Sequence, residues 1–137
     1  MGMPCHNSFE TYKLIDFETD GDRGMDKNME EKIFELHAEV CKSMASPTRL
    51  KIMDLLREGE KPVEELRKRL RLPKANLSQH LGVLRQRGII SSRRSGLNIY
   101  YKVTNSKMIK ACDLLREVLL EQIREEGKLV KGIRKGG

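Results

Sequence analysis

The stretch from Leu70 to Val103 limits what this chain can fold into more than any other. A helical pattern running from Lys74 through Leu77, Leu81 and Leu84 is stopped at Gly88. Two alternating runs follow at once, Ile89 to Arg94 and Asn98 to Val103, with Gly96 as the turn residue between them. A shorter helix, Val63 to Leu70, precedes this block and is broken by Leu72 and Pro73. Helix, turn, helix and hairpin in that order predict a helix-turn-helix with a wing. The charge falls on the same stretch. Between Lys61 and Lys102 eleven Lys or Arg stand against Glu64 and Glu65, a formal +9, whereas all 137 residues together carry +7. Clustered positive charge is the footprint of a nucleic-acid binder, because phosphate contacts release counterions and supply most of the non-specific affinity.

Met29, Ile33, Leu36, Val40 and Met44 recur at steps of three and four and define one face of a first helix. Ser46 as N-cap and Pro47 at the first helical position open a second, which carries Leu50, Ile52, Met53, Leu55 and Leu56 and ends at Gly59. Asn105 and Ser106 cap a last helix from Lys107 to about Glu126, striped by Met108, Ala111, Cys112, Leu115, Val118, Leu119 and Ile123. The expected class is mainly α with a small β-hairpin, a winged helix-turn-helix whose hairpin lies between the fourth and fifth helices. Residues 1–28, with six acids against three basic residues, read as a flexible acidic arm, and Met25 and Met29 are alternative starts. Residues 29–126 form the DNA-binding and dimerisation domain, and 127–137 a basic, Gly-rich flexible tail. One small core cannot cover apolar stripes at both ends of the domain, so the first and last helices are expected to pack together in a homodimer.

Several functions are excluded. No run of about 18 apolar residues exists and the N-terminus lacks the order of a signal peptide, which points away from membranes and to the cytoplasm. Cys5, Cys41 and Cys112 are too scattered for a disulfide framework and read as reduced thiols. Enzymatic function is not expected. The three His form no nucleophile–base arrangement, no glycine loop cradles a phosphate, and carboxylates cluster only in the row Asp113, Glu117, Glu121 and Glu125.

With Leu77 facing inward, about 100° per residue brings Leu81 and Leu84 in with it and turns Ala75, Gln79 and Gln86 outward, flanked by Asn76 and Ser78. A bland solvated helix carries Glu and Lys on such a face. This one carries groups that read bases: Asn and Gln pair bidentately with adenine, Ser donates or accepts at base edges, and Ala75 permits close approach to the groove floor. Arg85 and Arg87 are better placed for phosphates. In the wing, Arg93, Arg94, Ser95, Gly96 and Asn98 suit phosphate or minor-groove contact, and of Tyr100 and Tyr101, on opposite faces, one belongs to the core.

The runs Met44-Ala-Ser-Pro-Thr-Arg-Leu-Lys-Ile52, Asn76-Leu-Ser-Gln-His-Leu-Gly-Val-Leu-Arg85 and Arg94-Ser-Gly-Leu-Asn-Ile-Tyr-Tyr-Lys-Val103 resemble the ArsR/SmtB family of winged-helix repressors. The resemblance covers about Ile33 to Ile123. It implies a homodimeric repressor on a palindromic double-stranded operator, released by a metal ion, metalloid or thiol reagent. Carried onto this chain, the reading set is Lys74, Asn76, Ser78, Gln79 and His80 with Arg85, and Arg93, Arg94 and Asn98 in the wing. His80 has two roles open, DNA contact or a structural hydrogen bond. The chain departs from the family pattern at Pro73, where a Ser cap is usual, and at Arg71, where a turn Gly is usual.

The effector sites implied by the resemblance are missing. Pro62 to Arg67 contains no Cys-x-Cys, the last-helix acidic row contains no His, and Asp54 and Leu120 stand where a persulfide-sensing Cys pair aligns. What remains is His37 and Cys41, one turn apart on the first helix, and Cys112 on the last, with Cys5 and His6 in the arm. Such thiolates with an imidazole suit zinc, cuprous copper or trivalent arsenic, and core packing of the cysteines is the competing expectation. Two rival functions stay open, a winged-helix regulator controlled by a protein partner instead of a sensor, and a protein or RNA interaction module.

Overall fold

The computed structural model describes residues 26–135, with side chains from 26 to 127. These residues form two compact units, one ending at Thr104 and one beginning at Asn105. The first contains helices α1 (Lys27–Met44), α2 (Pro47–Leu56), α3 (Val63–Leu70) and α4 (Lys74–Gln86), and strands β1 (Lys61–Pro62), β2 (Ile90–Ser95) and β3 (Asn98–Val103). The second is the single helix α5 (Lys107–Lys135). No described helix is long and apolar enough to cross a membrane. Expectations for the arm, Cys5 and His6 among them, lie outside the described residues.

The core of the first unit is built by the three helices around the turn. Ile52, Met53 and Leu56 of α2, Leu66 of α3 and Leu77, Leu81 and Leu84 of α4 are buried together with Ile89 and Ile90 at the root of the wing. Each such side chain contributes about 1.5–3 kcal/mol of transfer free energy. Helix α2 starts as the sequence dictates, with Ser46 Oγ accepting from the Arg49 N–H at 3.4 Å and Pro47 at its first position. Helix α4 ends in a Schellman motif. The Gly88 N–H donates to the Arg85 carbonyl and the Ile89 N–H to the Leu84 carbonyl, while Gly88 takes a φ of 70° that L side chains rarely adopt.

The wing is the antiparallel pair β2–β3, in register from Ile90 opposite Val103 to Ser95 opposite Asn98. Gly96 at φ 61°, followed by Leu97, has the sign pattern of a type II′ turn, the kind that matches strand twist in a two-residue hairpin. At the open end the Thr104 N–H and Oγ1–H both donate to the Ile89 carbonyl, at 3.0 and 2.9 Å.

Four details depart from the sequence reading. The hairpin is part of a three-stranded sheet of order β1-β3-β2, because Lys61 and Pro62 pair with Tyr101 and Tyr100. The Lys61 side chain is largely buried there, its Nζ 3.1 Å from Glu58 and 3.6 Å from Glu65, and the lysine holds the Glu58 carboxyl below its ordinary range. Helix α2 stops at Leu56, before Gly59, whose φ of 127° lies in the turn. On α1 the buried residue is Ser43, its hydroxyl donating to the Glu39 carbonyl, whereas Ile33 and Phe34 are exposed. Finally, α5 passes Glu126 and Gly127 and continues to Lys135. Each of its two glycines, Gly127 and Gly132, costs only about 1 kcal/mol relative to Ala, which the neighbouring residues can offset. At its start the Asn105 Oδ1 accepts from the Lys107 N–H at 3.0 Å.

Candidate nucleic-acid interface

Helix α4 buries Leu77, Leu81 and Leu84 and leaves Lys74, Ala75, Asn76, Ser78, Gln79 and Arg85 exposed. The periodicity therefore separates the faces as expected, and the exposed face is polar and short-chained over its first turns. Pro73 occupies the N-cap and makes no side-chain cap bond, so the first N–H groups of α4 keep the donors and positive dipole end that suit an anionic oxygen. The turn before it is made by Arg71 at φ 52°, the one non-glycine residue with positive φ among the described residues. The Leu72 N–H closes this turn onto the Arg67 carbonyl.

His80 is half-buried, with its Nδ1 3.4 Å from Arg49 Nη1. A guanidinium only donates, so in this contact Nδ1 takes the accepting side. The contact links α4 to α2. Arg49 Nε is buried without a hydrogen-bond partner among the described residues.

In the wing, Arg94 and Asn98 are exposed and flank a tip where Leu97 is fully solvated. Arg93 is differently engaged. Its Nε donates to both oxygens of Glu60 at 2.9 Å, its Nη2 also meets that carboxylate, and its guanidinium lies 4.5 Å from the centroid of the Tyr100 ring. The hydrogen bond from Arg93 holds the Glu60 carboxyl below its usual range and raises the guanidinium in return. Tyr100 and Tyr101 are both half-buried, so neither is a core residue in the full sense.

The clustered charge is thus smaller than the sequence count. Lys61 pairs with Glu58 and Glu65, Arg67 with Glu64, Arg69 with Glu65, Arg87 with Glu39 and Arg93 with Glu60. Lys74, Arg85 and Arg94 have no ion-pair partner among the described residues. Sequence reasoning missed Glu60, Glu39 and Arg49. Glu60 lies 33 residues from Arg93 and Glu39 48 from Arg87, and no local spacing reports such pairs.

His37 and Cys41 are exposed on α1, so Cys41 is not packed in the core of its unit, and Cys112 is half-buried on α5. The cysteines belong to different compact units. No group of three or more His, Cys, Asp or Glu that could hold a metal occurs among the described residues. Among the described residues His37 and Cys41 supply two donors on one helix, short of the four that a closed tetrahedral zinc site takes.

A sequence model of the arsR family of bacterial regulatory proteins matches residues 46–92, which run from the cap of α2 into the wing. The HTH-type transcriptional regulator Rv0081 of Mycobacterium tuberculosis is 33% identical over 108 residues, 78% of this chain and 95% of that protein. Its crystal structure superposes with a TM-score of 0.63 at 34% identity over 69% of this chain and 95% of that one. The biofilm growth-associated repressor of Xylella fastidiosa is 33% identical over 99 residues, 72% of this chain and 86% of that protein. A homodimeric winged helix-turn-helix DNA-binding domain, Mb0332 of Mycobacterium bovis, superposes with a TM-score of 0.63 at 27% identity, over 73% of this chain and 92% of that one. Matched over nearly the full length of these proteins, the chain belongs to the ArsR family of winged helix-turn-helix transcriptional regulators.

Proposed function

We propose that this chain is a cytoplasmic, homodimeric repressor that binds a palindromic DNA operator, with α4 in the major groove and the wing against the adjacent backbone. The observation that carries the reading is the exposed row Lys74, Asn76, Ser78 and Gln79 on a helix whose other face is fully buried. Asn76 and Gln79 read base edges, Ser78 adds a base-edge or phosphate hydrogen bond, and Lys74, Arg85 and Arg94 contact phosphates, with Asn98 at the wing. Dimerisation is supported by the apolar side chains exposed on α1, Ile33 and Phe34, and on α5, Leu114, Leu115, Val118, Leu119, Leu120 and Ile123. A monomer in water rarely leaves so many of them uncovered. In the dimer the two α4 helices enter successive major grooves about 34 Å apart.

The test is selection of duplexes from a random-sequence pool, followed by fluorescence anisotropy at fixed salt. A palindromic site bound with a Kd on the order of nanomolar is expected. Gln79→Ala should weaken that site by about 1–3 kcal/mol while leaving random duplex nearly unaffected. Equal affinity for all sequences, or indifference to Gln79, would refute the reading and favour an RNA or protein interaction module.

Release is assigned to a thiol-reactive effector at Cys41, which is exposed beside His37 on a helix proposed to form the dimer interface. Trivalent arsenic or a thiol oxidant should lower operator affinity in the wild type and not in Cys41→Ser. Wild-type binding that none of these reagents moves would transfer control to a protein partner.

A further inference from the structure

We infer that Arg93 is a positioning residue and not a DNA contact of the wing: its guanidinium, held between the Glu60 carboxylate and the Tyr100 ring, fixes the angle at which Arg94 and Asn98 meet the duplex. The inference rests on the reading above that α4 and the wing bind DNA.

The strut crosses the whole sheet. Glu60 is the residue before β1, Arg93 is on the outer strand β2, and Tyr100 is on β3, paired to Arg93 on one side and to Pro62 on the other. Nε and Nη2 engage the carboxylate while the guanidinium carbon lies over the ring, 4.5 Å from its centroid. Most surface ion pairs are loose and contribute little, but a multiply bonded Arg–carboxylate with a second hold on an aromatic ring is the geometry that escapes this rule. Besides this strut the hairpin is held at its root, through Thr104 and Ile89, by the short pairing of Lys61 and Pro62, and by packing of β2 on α4 and of β3 on α2 and α3. Arg93 stands on the last rung that β1 reaches, opposite Tyr100 and Pro62, so the strut fixes the ribbon at the point from which residues 94 to 99 extend to the tip.

The neighbouring side chain takes the electrostatic role. Successive strand residues face opposite sides, so Arg94 projects away from the strut, and it has no ion-pair partner among the described residues. Glu60 with Arg93 is a neutral pair and releases no counterions. Moving Arg93 to a phosphate would break its bonds to Glu60 and leave that carboxylate, 28% exposed, facing the DNA.

The experiment uses the full-length protein and a labelled duplex that the wild type retains from a random-sequence pool. In the double variant E60Q/R93Q the net charge is unchanged. If Arg93 is a strut, affinity falls about three- to tenfold while the slope of log K against log salt stays at the wild-type value. The Arg93 Nε–H resonance of the wild type should also keep its chemical shift on addition of DNA. A slope reduced by about one per wing, or an Nε–H signal displaced by the duplex, makes Arg93 a phosphate contact and overturns the assignment. Unchanged affinity in the double variant overturns it as well, since the strut would then position nothing. If the wild type retains no duplex, the DNA-binding reading itself falls and the inference with it, an outcome distinct from either of the others.

Discussion

At Arg71 the backbone holds a φ of 52° in the turn between α3 and α4, a conformation in which Cβ crowds the following carbonyl at a cost of roughly 1–2 kcal/mol. Glycine escapes that crowding but gains entropy in the unfolded chain, so Arg71→Gly should stabilise the fold by about 0.5–1 kcal/mol in urea unfolding. If Arg71 also touches a phosphate, the same variant binds DNA less tightly while folding more tightly, which separates the two roles of one residue. Glu60 gives a second residue-level expectation. Its folded-state value lies below the ordinary 4.5 because Arg93 donates to the carboxylate. The strut is therefore fully made at neutral pH and through the ordinary carboxylate value, and it is lost only as pH falls through the lowered value. The Arg93 Nε–H signal should follow that order in an NMR titration. Its loss above pH 4.5, while the fold is intact, would contradict the ion pair.

Among the elements, α4 decides most, and its glycines differ in kind. Gly82 lies inside the helix with no heavy atom within 4 Å of where a Cβ would stand, whereas Gly88 carries a φ of 70° in the Schellman turn that launches the wing. Gly82→Ala should therefore stabilise by about 0.5–1 kcal/mol through helix propensity, and Gly88→Ala should destabilise by about 1 kcal/mol or more. Opposite signs in chemical unfolding are the check. This contrast also marks what the sequence makes legible. Leu77, Leu81 and Leu84 repeat at helical spacing, so the buried and exposed faces of α4 follow from residue order alone. Gly88 and Gly96 punctuate it correctly because their conformations need glycine. Strand β1, by contrast, is two residues long and carries no alternation, so only its pairing with Tyr100 and Tyr101 defines it. The end of α2 at Leu56 is legible in the apolar pattern, which stops there, whereas Gly59, read as the stop, sits in the following turn. The Glu60–Arg93 pair was illegible because it is a product of the sheet register and of no local spacing.

For the molecule as a whole the decisive question is what covers the apolar face of α5. Leu119 is half exposed and Ile123 is 62% exposed, although the helix stripe places them where a core residue is expected. If a second copy covers that face, Leu119→Glu places a charge in the interface, where it must be desolvated without a partner, and the dimer dissociates. Leu119 lies on α5, outside the compact unit that contains α4 and the wing, so the reading head should keep its own stability. The consequence for DNA is then quantitative. A dimer binds its second half-site at an effective concentration in the millimolar range for a short connection, and a monomer loses that advantage. Affinity for the full palindrome should fall by about 10²–10⁴, while affinity for an isolated half-site should hardly change. Sedimentation of the free protein and anisotropy on the two duplexes test this together. A Leu119→Glu protein that remains dimeric, or a monomer that still binds the full palindrome as tightly as the wild type, would remove α5 from the element that spaces the reading heads.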